Sequence, residues 1–153
     1  MSLKPGKDMT VRLGTTTIVG IGDVSLDGVT VEELDTSAFG NNGWKTFQTG
    51  MKDGGTISFS GQFDPADTTG QEILALALVN GTELTSIRIY VDSTSYYTPN
   101  QTTGYFSPSS PAASSNSTIL STARVTAHNI KGAVNAMGTV DFKLKVSGSM
   151  VLI

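Results

Sequence analysis

The chain has 153 residues, enough for one domain with a hydrophobic core. It is acidic, with a formal net charge of -3, and has no cysteine, which excludes disulfide frameworks and thiolate metal sites and disfavours binding to nucleic-acid phosphates. A composition with 17 glycines and only 15% charged residues favours strands joined by tight turns over long helices or disorder.

The first part of the chain is polar and contains proline and glycine, so residues 1–14 predict a flexible N-terminal arm without the apolar run of a signal peptide. Residues 15–21, TTTIVGI, are rich in β-branched side chains and predict the first strand. In residues 23–34, DVSLDGVTVEEL, apolar residues flank Asp27 and Gly28. This pattern indicates either a tight hairpin turn or a looser bend within one long strand.

The next stretch, DTSAFGNNGWKTFQTGMKDGG at residues 35–55, has neither helical nor strand periodicity and predicts a long inter-strand loop. The loop nevertheless carries large apolar side chains, among them the only tryptophan, Trp44. The strand predicted over residues 56–63, TISFSGQF, alternates between an apolar and a polar face. The polar face carries Ser58, Ser60 and Gln62.

One helix is predicted, over about residues 65–80, with Asp64 as the N-cap and Pro65 in the first position. A shorter helix capped within residues 68–69 is the alternative. Gly81 predicts a left-handed C-terminal cap. The apolar part of this helix is much shorter than the roughly 20 residues of a membrane span, so we expect no membrane segment.

The second half of the chain returns to strand patterns. Residues 86–91 alternate and predict a strand, whereas the Ser-, Thr- and Pro-rich residues 92–118 predict a long variable loop that holds at most a short hairpin. Four segments follow: a strand at residues 119–130, with or without a bulge, a connection at 131–138, a regularly alternating strand at 139–146 and a short last strand at 149–153.

These segments predict a mainly β fold. Six to eight strands with one flanking α-helix indicate a β-sandwich or barrel, and the absence of a repeat or a linker indicates a single domain over residues 1–153.

No pattern of catalytic residues is present in the sequence. His128, the only histidine, lies in a predicted strand without a neighbouring Cys or second His, so we expect a solvated or core-edge side chain rather than a catalytic base. The nucleophile elbow and the P-loop are absent, and the aspartates lack the spacing of a calcium loop. We therefore expect no enzyme activity, no metal and no cofactor.

Four blocks in a fixed order carry a family resemblance. They are a strand ending in ELDTS at residues 33–37, a loop followed by GMKDGG at 50–55, a strand running into a helix that opens with the Asp-Pro pair 64–65, and VSGSMVL at 146–152. In this order the chain resembles the major tail tube proteins of long, flexible-tailed, lambda-like siphophages and related prophages. The resemblance is weakest over residues 93–118.

The resemblance implies a structural subunit of a virion tail. In that family six copies form a ring, and rings stack into a hollow tube through which DNA passes without specific binding. The implied partners are further copies of the chain and the tail initiator, terminator and tape-measure proteins, with assembly in the host cytoplasm. The loop at residues 35–55 would then reach the neighbouring ring. The predicted interface residues are Phe39, Trp44, Lys45, Phe47, Met51 and Lys52.

The lining of such a tube should be polar or acidic, because a basic lining would hold the DNA phosphates. The row formed by Ser58, Ser60 and Gln62 is the predicted lumen-facing surface. The row of Asp141, Lys143 and Lys145 is the weaker candidate, because its two lysines attract phosphate.

Two other functions fit the same pattern. A tube protein of a contractile injection or type VI secretion apparatus shares the implied architecture. An Ig-like carbohydrate- or surface-binding module is also a β-sandwich, and its aromatic platform would consist of Tyr96, Tyr97, Tyr105 and Phe106.

Overall fold

A computed structural model describes residues 3–38, 40, 42–101, 105–106, 118–119 and 121–153, and of residues 105–106 and 118–119 it describes the backbone alone. These residues contain a 3-10 turn at Gly6–Asp8, twelve strands and one α-helix. The elements are β1 (Thr10–Leu13), β2 (Thr16–Thr17), β3 (Ile21–Asp35), β4 (Phe47–Gln62), α1 (Gln71–Asn80), β5 (Glu83–Leu84), β6 (Ile87–Tyr90), β7 (Tyr96–Pro99), β8 (Tyr105–Phe106), β9 (Thr118–Ile119), β10 (Thr122–Ala133), β11 (Ala136–Ser147) and β12 (Met150–Leu152).

The strands form two five-stranded antiparallel sheets with the core between them. The first sheet has the order β12-β7-β6-β1-β2 and the second the order β3-β4-β11-β10-β5, while β8 and β9 pair separately. The predicted mainly β fold with one helix is therefore confirmed. The count of six to eight strands was too low, because two-residue strands such as β2 and β5 are too short to show a period.

Strand β11 shows why the two sheets pack together. Its residues Val140, Phe142, Leu144 and Val146 are all buried, whereas the residues between them point away from the core. Alternation of this kind places one face of a strand in the core, and the prediction for residues 139–146 is confirmed. Helix α1 packs against β10 and buries Leu74 and Ala77.

The N-terminal residues differ from the predicted flexible arm. Strand β1 pairs with β6 on one side and β2 on the other, and its Val11 is fully buried. The strand predicted over residues 15–21 was also wrong in extent, because only β2 and the first residue of β3 are strand, with a turn at Gly20 between them. β1 was not predicted because a four-residue strand with one buried side chain is too short to be recognised by periodicity.

Strands β3 and β4 form one long hairpin, which corrects two expectations. β3 continues past Gly28, which adopts a φ of 72°, so the bend within one long strand is the correct alternative at this position. Residues 47–55 of the loop predicted over residues 35–55 are also strand, because β4 begins at Phe47. The prediction failed here because both faces of these strands are exposed, which removes the apolar-polar alternation.

Helix α1 begins later than the predicted residue 65, so the shorter alternative is the closer one. Asp64 accepts a hydrogen bond from the Ala66 N–H at 2.9 Å and closes a turn before the helix instead of capping it. Gly70 occupies the N-cap position, and Gly81, with a φ of 66°, forms the predicted left-handed C-terminal cap.

The second half contains further strand beyond the prediction. Strands β10 and β11 run through the connection predicted over residues 131–138 and meet at a two-residue turn, Val134 and Asn135. The alternative of a bulge in the preceding strand is confirmed between Val125 and Ala127.

The loop predicted over residues 92–118 contains strand β7, which lies in the first sheet and buries Thr98 and Pro99. Residues 102–104 and 107–117 of this predicted loop lie outside the described residues.

Candidate interaction surfaces

The distal part of the β3–β4 hairpin projects from the domain, and we call residues 29–54 the arm. Strand β11 pairs with β4 from Thr56 to Gln62, so within the described residues the strands of the arm pair only with each other. The part of β3 from Val29 to Asp35 makes the arm roughly 23 Å long at about 3.3 Å per residue. Because an isolated two-stranded hairpin is marginally stable in water, the arm depends on its anchorage at the second sheet.

The arm carries large apolar side chains in contact with solvent. Trp44, Phe47 and Met51 are 77%, 65% and 82% exposed. Clustered exposed apolar side chains on a soluble protein mark interaction surfaces. The predicted interface residues Lys45 and Lys52 lie on the same arm and are exposed, whereas Phe39 lies outside the described residues. Three further apolar side chains of the arm are exposed and were not predicted from the sequence: Val29, Val31 and Leu34.

Glycines shape the base of the arm. Gly28 and Gly55 occupy facing positions in the two strands and both have positive φ, 72° and 91°. A Cβ at Gly55 would lie 2.4 Å from the Asp27 carbonyl oxygen, and one at Gly54 would lie 2.1 Å from the Gly148 carbonyl oxygen. No other residue type fits at these positions without moving the backbone, which gives a structural reason for the GMKDGG block.

Asp53 fastens the same base to the second sheet. Its Oδ1 accepts hydrogen bonds from the Gly55 N–H at 2.8 Å and from the Lys145 Nζ of β11. The hydrogen bond from Lys145, followed by that from Gly55, holds the pKa of Asp53 below its ordinary value.

The far end of the arm is closed by the ELDTS block. The Asp35 carboxylate accepts a hydrogen bond from the Ser37 N–H at 2.8 Å, and the Ser37 hydroxyl accepts one from the Thr46 N–H at 2.9 Å. Hydrogen bonds from Ser37 lower the pKa of Asp35, so its carboxylate stays charged. The carboxylate and hydroxyl residues of this block therefore bring the ends of the two strands together.

The outer face of the second sheet is polar, and it combines the two rows that the sequence analysis treated as alternatives. Ser58 pairs directly with Lys143, and Ser60 pairs with Asp141. The serine row and the charged row therefore belong to one surface. The prediction that only one of the two rows would line a lumen is corrected accordingly. On the other side of β4 the direct partners of Ser60, Ser58 and Thr56 are Asp23, Ser25 and Asp27, so carboxylates balance the lysines across this face.

Two further apolar surfaces were missed by the sequence analysis. The turn between β10 and β11 exposes Val134 completely and leaves Met137 67% exposed. It lies at the end of the second sheet opposite the arm, because Thr139 of β11 pairs with Gln62 and Lys145 pairs with Thr56. Helix α1 exposes a second set: Ile73, Leu76 and Val79. The signal that marked Trp44 in the sequence was large apolar side chains in a Gly-rich segment. Residues 131–138 carry the same signal, which could have indicated the exposed turn between β10 and β11.

A buried polar network fixes the position of helix α1. The Gln71 side chain, only 3% exposed, donates from Nε2 to the carbonyl oxygens of Val19 at 2.8 Å and Gln62 at 3.0 Å and accepts from the Asp64 N–H at 3.1 Å. The Asp67 Oδ2 accepts from the N–H groups of Val19 at 3.0 Å and Gln71 at 3.2 Å. The network joins the helix to the β2–β3 turn and to the end of β4.

The aromatic residues of the binding-module alternative do not form an open platform in the described part of the chain. Tyr96 and Tyr97 are half-buried in β7, and the Tyr96 ring lies 4.8 Å from that of Tyr90. Of Tyr105 and Phe106 only the backbone is described, and it pairs with β9.

His128 stacks on Phe142 with ring centroids 4.6 Å apart and is half-buried, as expected for a core-edge residue. The described residues contain no group of three His, Asp or Glu side chains placed to hold a metal ion. No helix in the described ranges has the length and apolar character needed to cross a membrane.

The fold of this chain is similar to that of several chains of known structure. Chains from the tail of an empty gene transfer agent particle, refined with C6 helical symmetry, and from the virion of a native gene transfer agent match with TM-scores of 0.70 and 0.71 at 16% identity, over 99% of both chains. A chain from the cap that terminates the tube of the anti-feeding prophage matches with a TM-score of 0.64 at 11% identity, over 100% of this chain and 92% of that one. The protein has the fold of these tail and tube-cap chains. No protein-family model and no curated protein matches the sequence.

Proposed function

We propose that the chain is a structural subunit of a tail tube, in which copies form hexameric rings that stack around a lumen for DNA. The observation that carries this proposal is a fold shared over its whole length with tail components, combined with an arm whose apolar side chains are exposed in the described part of a single copy. The C6 symmetry of the gene transfer agent tail supports the ring of six. In this proposal the chain is one domain with no enzymatic activity.

The blocks of sequence resemblance favour a long, non-contractile tail of the lambda-like siphophage type. On this basis the other partners are the tail initiator, terminator and tape-measure proteins, and the subunit is located in the virion after assembly in the host cytoplasm. The Ser58, Ser60 and Gln62 row, together with Asp141 and Lys143, would line the lumen. Its mixed charge suits passage of DNA, because carboxylates offset the attraction of the lysines for phosphate.

The second candidate is the tube protein of a contractile injection system. It is supported by the tube-cap match and by a match to a chain of an extracellular contractile injection system sheath-tube complex, with a TM-score of 0.61 and 13% identity over 99% of this chain and 91% of that one. A sheath protein that binds the purified tube would favour this candidate over a non-contractile tail.

The arm is the inter-ring contact in both candidates. Trp44 and Phe47 would pack against the neighbouring ring, and Phe39 is predicted to join them. Met51 lies at the bulge of β4 and would add a further apolar contact. Lys45 and Lys52 would lie at the rim of the contact. Aromatic side chains that become fully covered are the usual centres of binding energy at interfaces.

The test is light scattering over a concentration series, with negative-stain images of the same samples. We expect rings or tubes from the wild-type chain and loss of stacking in Trp44→Ala. Because Trp44 is exposed in a single copy, the same substitution should change the free energy of unfolding by no more than about 0.5 kcal/mol. Leu3→Ala, which removes an exposed apolar side chain outside the arm, is the matched control. A Trp44→Ala chain that stacks like the wild type would remove the arm from the proposed interface.

A further inference from the structure

Two arginines lie side by side on the first sheet. Arg12 of β1 and Arg88 of β6 are direct cross-strand partners. The Arg12 guanidinium lies 4.2 Å from the centre of the Tyr90 ring, and that of Arg88 lies 4.4 Å from the centre of the Tyr96 ring. The two rings are in turn 4.8 Å apart. We call these four side chains the arginine–tyrosine cluster.

Neither positive charge of the cluster has a carboxylate partner among the residues that the structure describes. Like charges placed directly opposite each other destabilise a strand pair. In the part of the chain that the structure describes, the ion pairs are those of Lys4 with Asp92, Arg124 with Glu83 and Lys145 with Asp53, and none involves Arg12 or Arg88. The Arg12 Nε is buried there without a hydrogen-bond partner.

The tyrosine rings prepare the guanidinium groups for a carboxylate. Each ring holds its guanidinium plane by a cation–π contact, so less side-chain freedom is lost when a ligand binds. Arginine pairs with carboxylates through two parallel N–H donors, and two neighbouring arginines therefore fit two neighbouring carboxylates.

The arm carries such a pair of carboxylates. Glu32 and Glu33 are consecutive, exposed and without an ion pair among the described residues. They lie at a bulge, where Gly50 and Met51 of β4 together face the single residue Glu32. The extra residue belongs to β4, so β3 keeps its alternation, and Glu32 and Glu33 extend from opposite faces of β3. Because β3 is the edge strand of the second sheet, a partner that covers this edge contacts both side chains. Within one copy these glutamates do not meet the arginine–tyrosine cluster, which lies on the other sheet.

We propose that the arginine–tyrosine cluster of one copy binds the Glu32-Glu33 pair on the arm of a neighbouring copy. The occupant is a second copy because charge complementarity points to it: the arm holds four carboxylates against two lysines, and the cluster holds two unpaired arginines. This inference rests on the proposed function, since it requires that copies assemble through the arm.

A charge exchange between full-length chains tests the contact. One variant carries Arg12→Glu and Arg88→Glu, and the other carries Glu32→Arg and Glu33→Arg. Each alone should raise the concentration needed for assembly at least about tenfold, because each places like charges together. An equimolar mixture should assemble near the wild-type concentration, because each arm then meets a face of opposite charge in the other variant. Lys7→Glu, a charge reversal at an exposed lysine elsewhere, should assemble like the wild type.

Folding and alternative ligands are measured on the same samples. Circular dichroism shows whether the Arg12→Glu and Arg88→Glu variant is folded. If it is not, a variant with Arg12→Gln and Arg88→Gln replaces it. We still expect this variant to raise the concentration needed for assembly at least about tenfold. If the wild type forms no assemblies, the proposed function fails and this inference fails with it. If the wild type assembles but the two charge-reversed variants are folded and do not complement each other, or the folded glutamine variant assembles like the wild type, only this inference is overturned. Binding of a duplex oligonucleotide that disappears in the arginine variants would also overturn it in favour of a phosphate site.

Discussion

Gln71 makes the strongest single prediction for the stability of this fold. Its buried side chain makes three hydrogen bonds to the backbone, and Gln71→Ala leaves the carbonyl oxygens of Val19 and Gln62 and the N–H of Asp64 without this partner. Each buried polar group left unpaired costs about 1–3 kcal/mol. Since water entering the vacated space satisfies part of the set, we expect a loss of about 2–4 kcal/mol in the free energy of unfolding.

For a chain of this length, a loss of that size lowers the melting temperature by about 6–12 °C. The measurement is thermal and urea unfolding followed by circular dichroism at one low protein concentration, because self-association would raise the apparent stability. Glu72→Ala is the matched control: it removes a similar side chain from the next, exposed position of the same helix and should change the free energy by no more than about 0.5 kcal/mol.

Equal stability of Gln71→Ala and Glu72→Ala would refute the reasoning, since it would mean that the buried network contributes no net free energy. Gln71→Glu separates hydrogen bonding from packing, because a carboxylate fills nearly the same volume but, when ionised, has no hydrogen to donate to the two carbonyl oxygens. We expect it to be at least as unstable as Gln71→Ala at neutral pH.

Three further predictions concern the arm and the helix end. Gly54→Ala should destabilise the base of the arm, because its Cβ would lie 2.1 Å from the Gly148 carbonyl oxygen; hydrogen exchange should show faster exchange in residues 47–54. The pKa of Asp53 is lowered from an ordinary value of 3.8, so the Asp53–Lys145 contact should be fully present above about pH 4 and be lost as the pH falls through the lowered pKa; a pH series of the same exchange experiment should show this loss, and Asp53→Asn should remove the dependence. Gly81→Ala should lower the free energy of unfolding by about 1 kcal/mol, because alanine is strained at a φ of 66°, and urea unfolding measures this.

The parts of the fold that were predictable from sequence are those in which one strand face is buried and the other is exposed. β11 and the proximal part of β4 are of this kind, and their apolar residues lie in the core as expected. The C-terminal cap at Gly81 was also predictable, because its chemistry is local.

The arm and β1 could not be predicted from the sequence, and the reason differs between them. Both faces of the arm contact solvent, so no periodicity marks it as strand, and its pairing is evident only from the register of β3 with β4. β1 is too short to show a period, and it becomes a strand because β6 lies beside it. The arginine–tyrosine cluster depends on the same β1–β6 register, which joins residues 76 positions apart and leaves no local signal.

The facing glycines at the base of the arm also bear on mechanics. Gly28 and Gly55 give both strands left-handed backbone at the same level, and the close packing of Gly54 against Gly148 and of Gly55 against Asp27 fixes the direction in which the arm leaves the sheet. In the proposed tube, each arm would therefore reach the neighbouring ring at one set angle. The spacing between rings would then be determined at these glycines, far from the apolar tip that makes the contact.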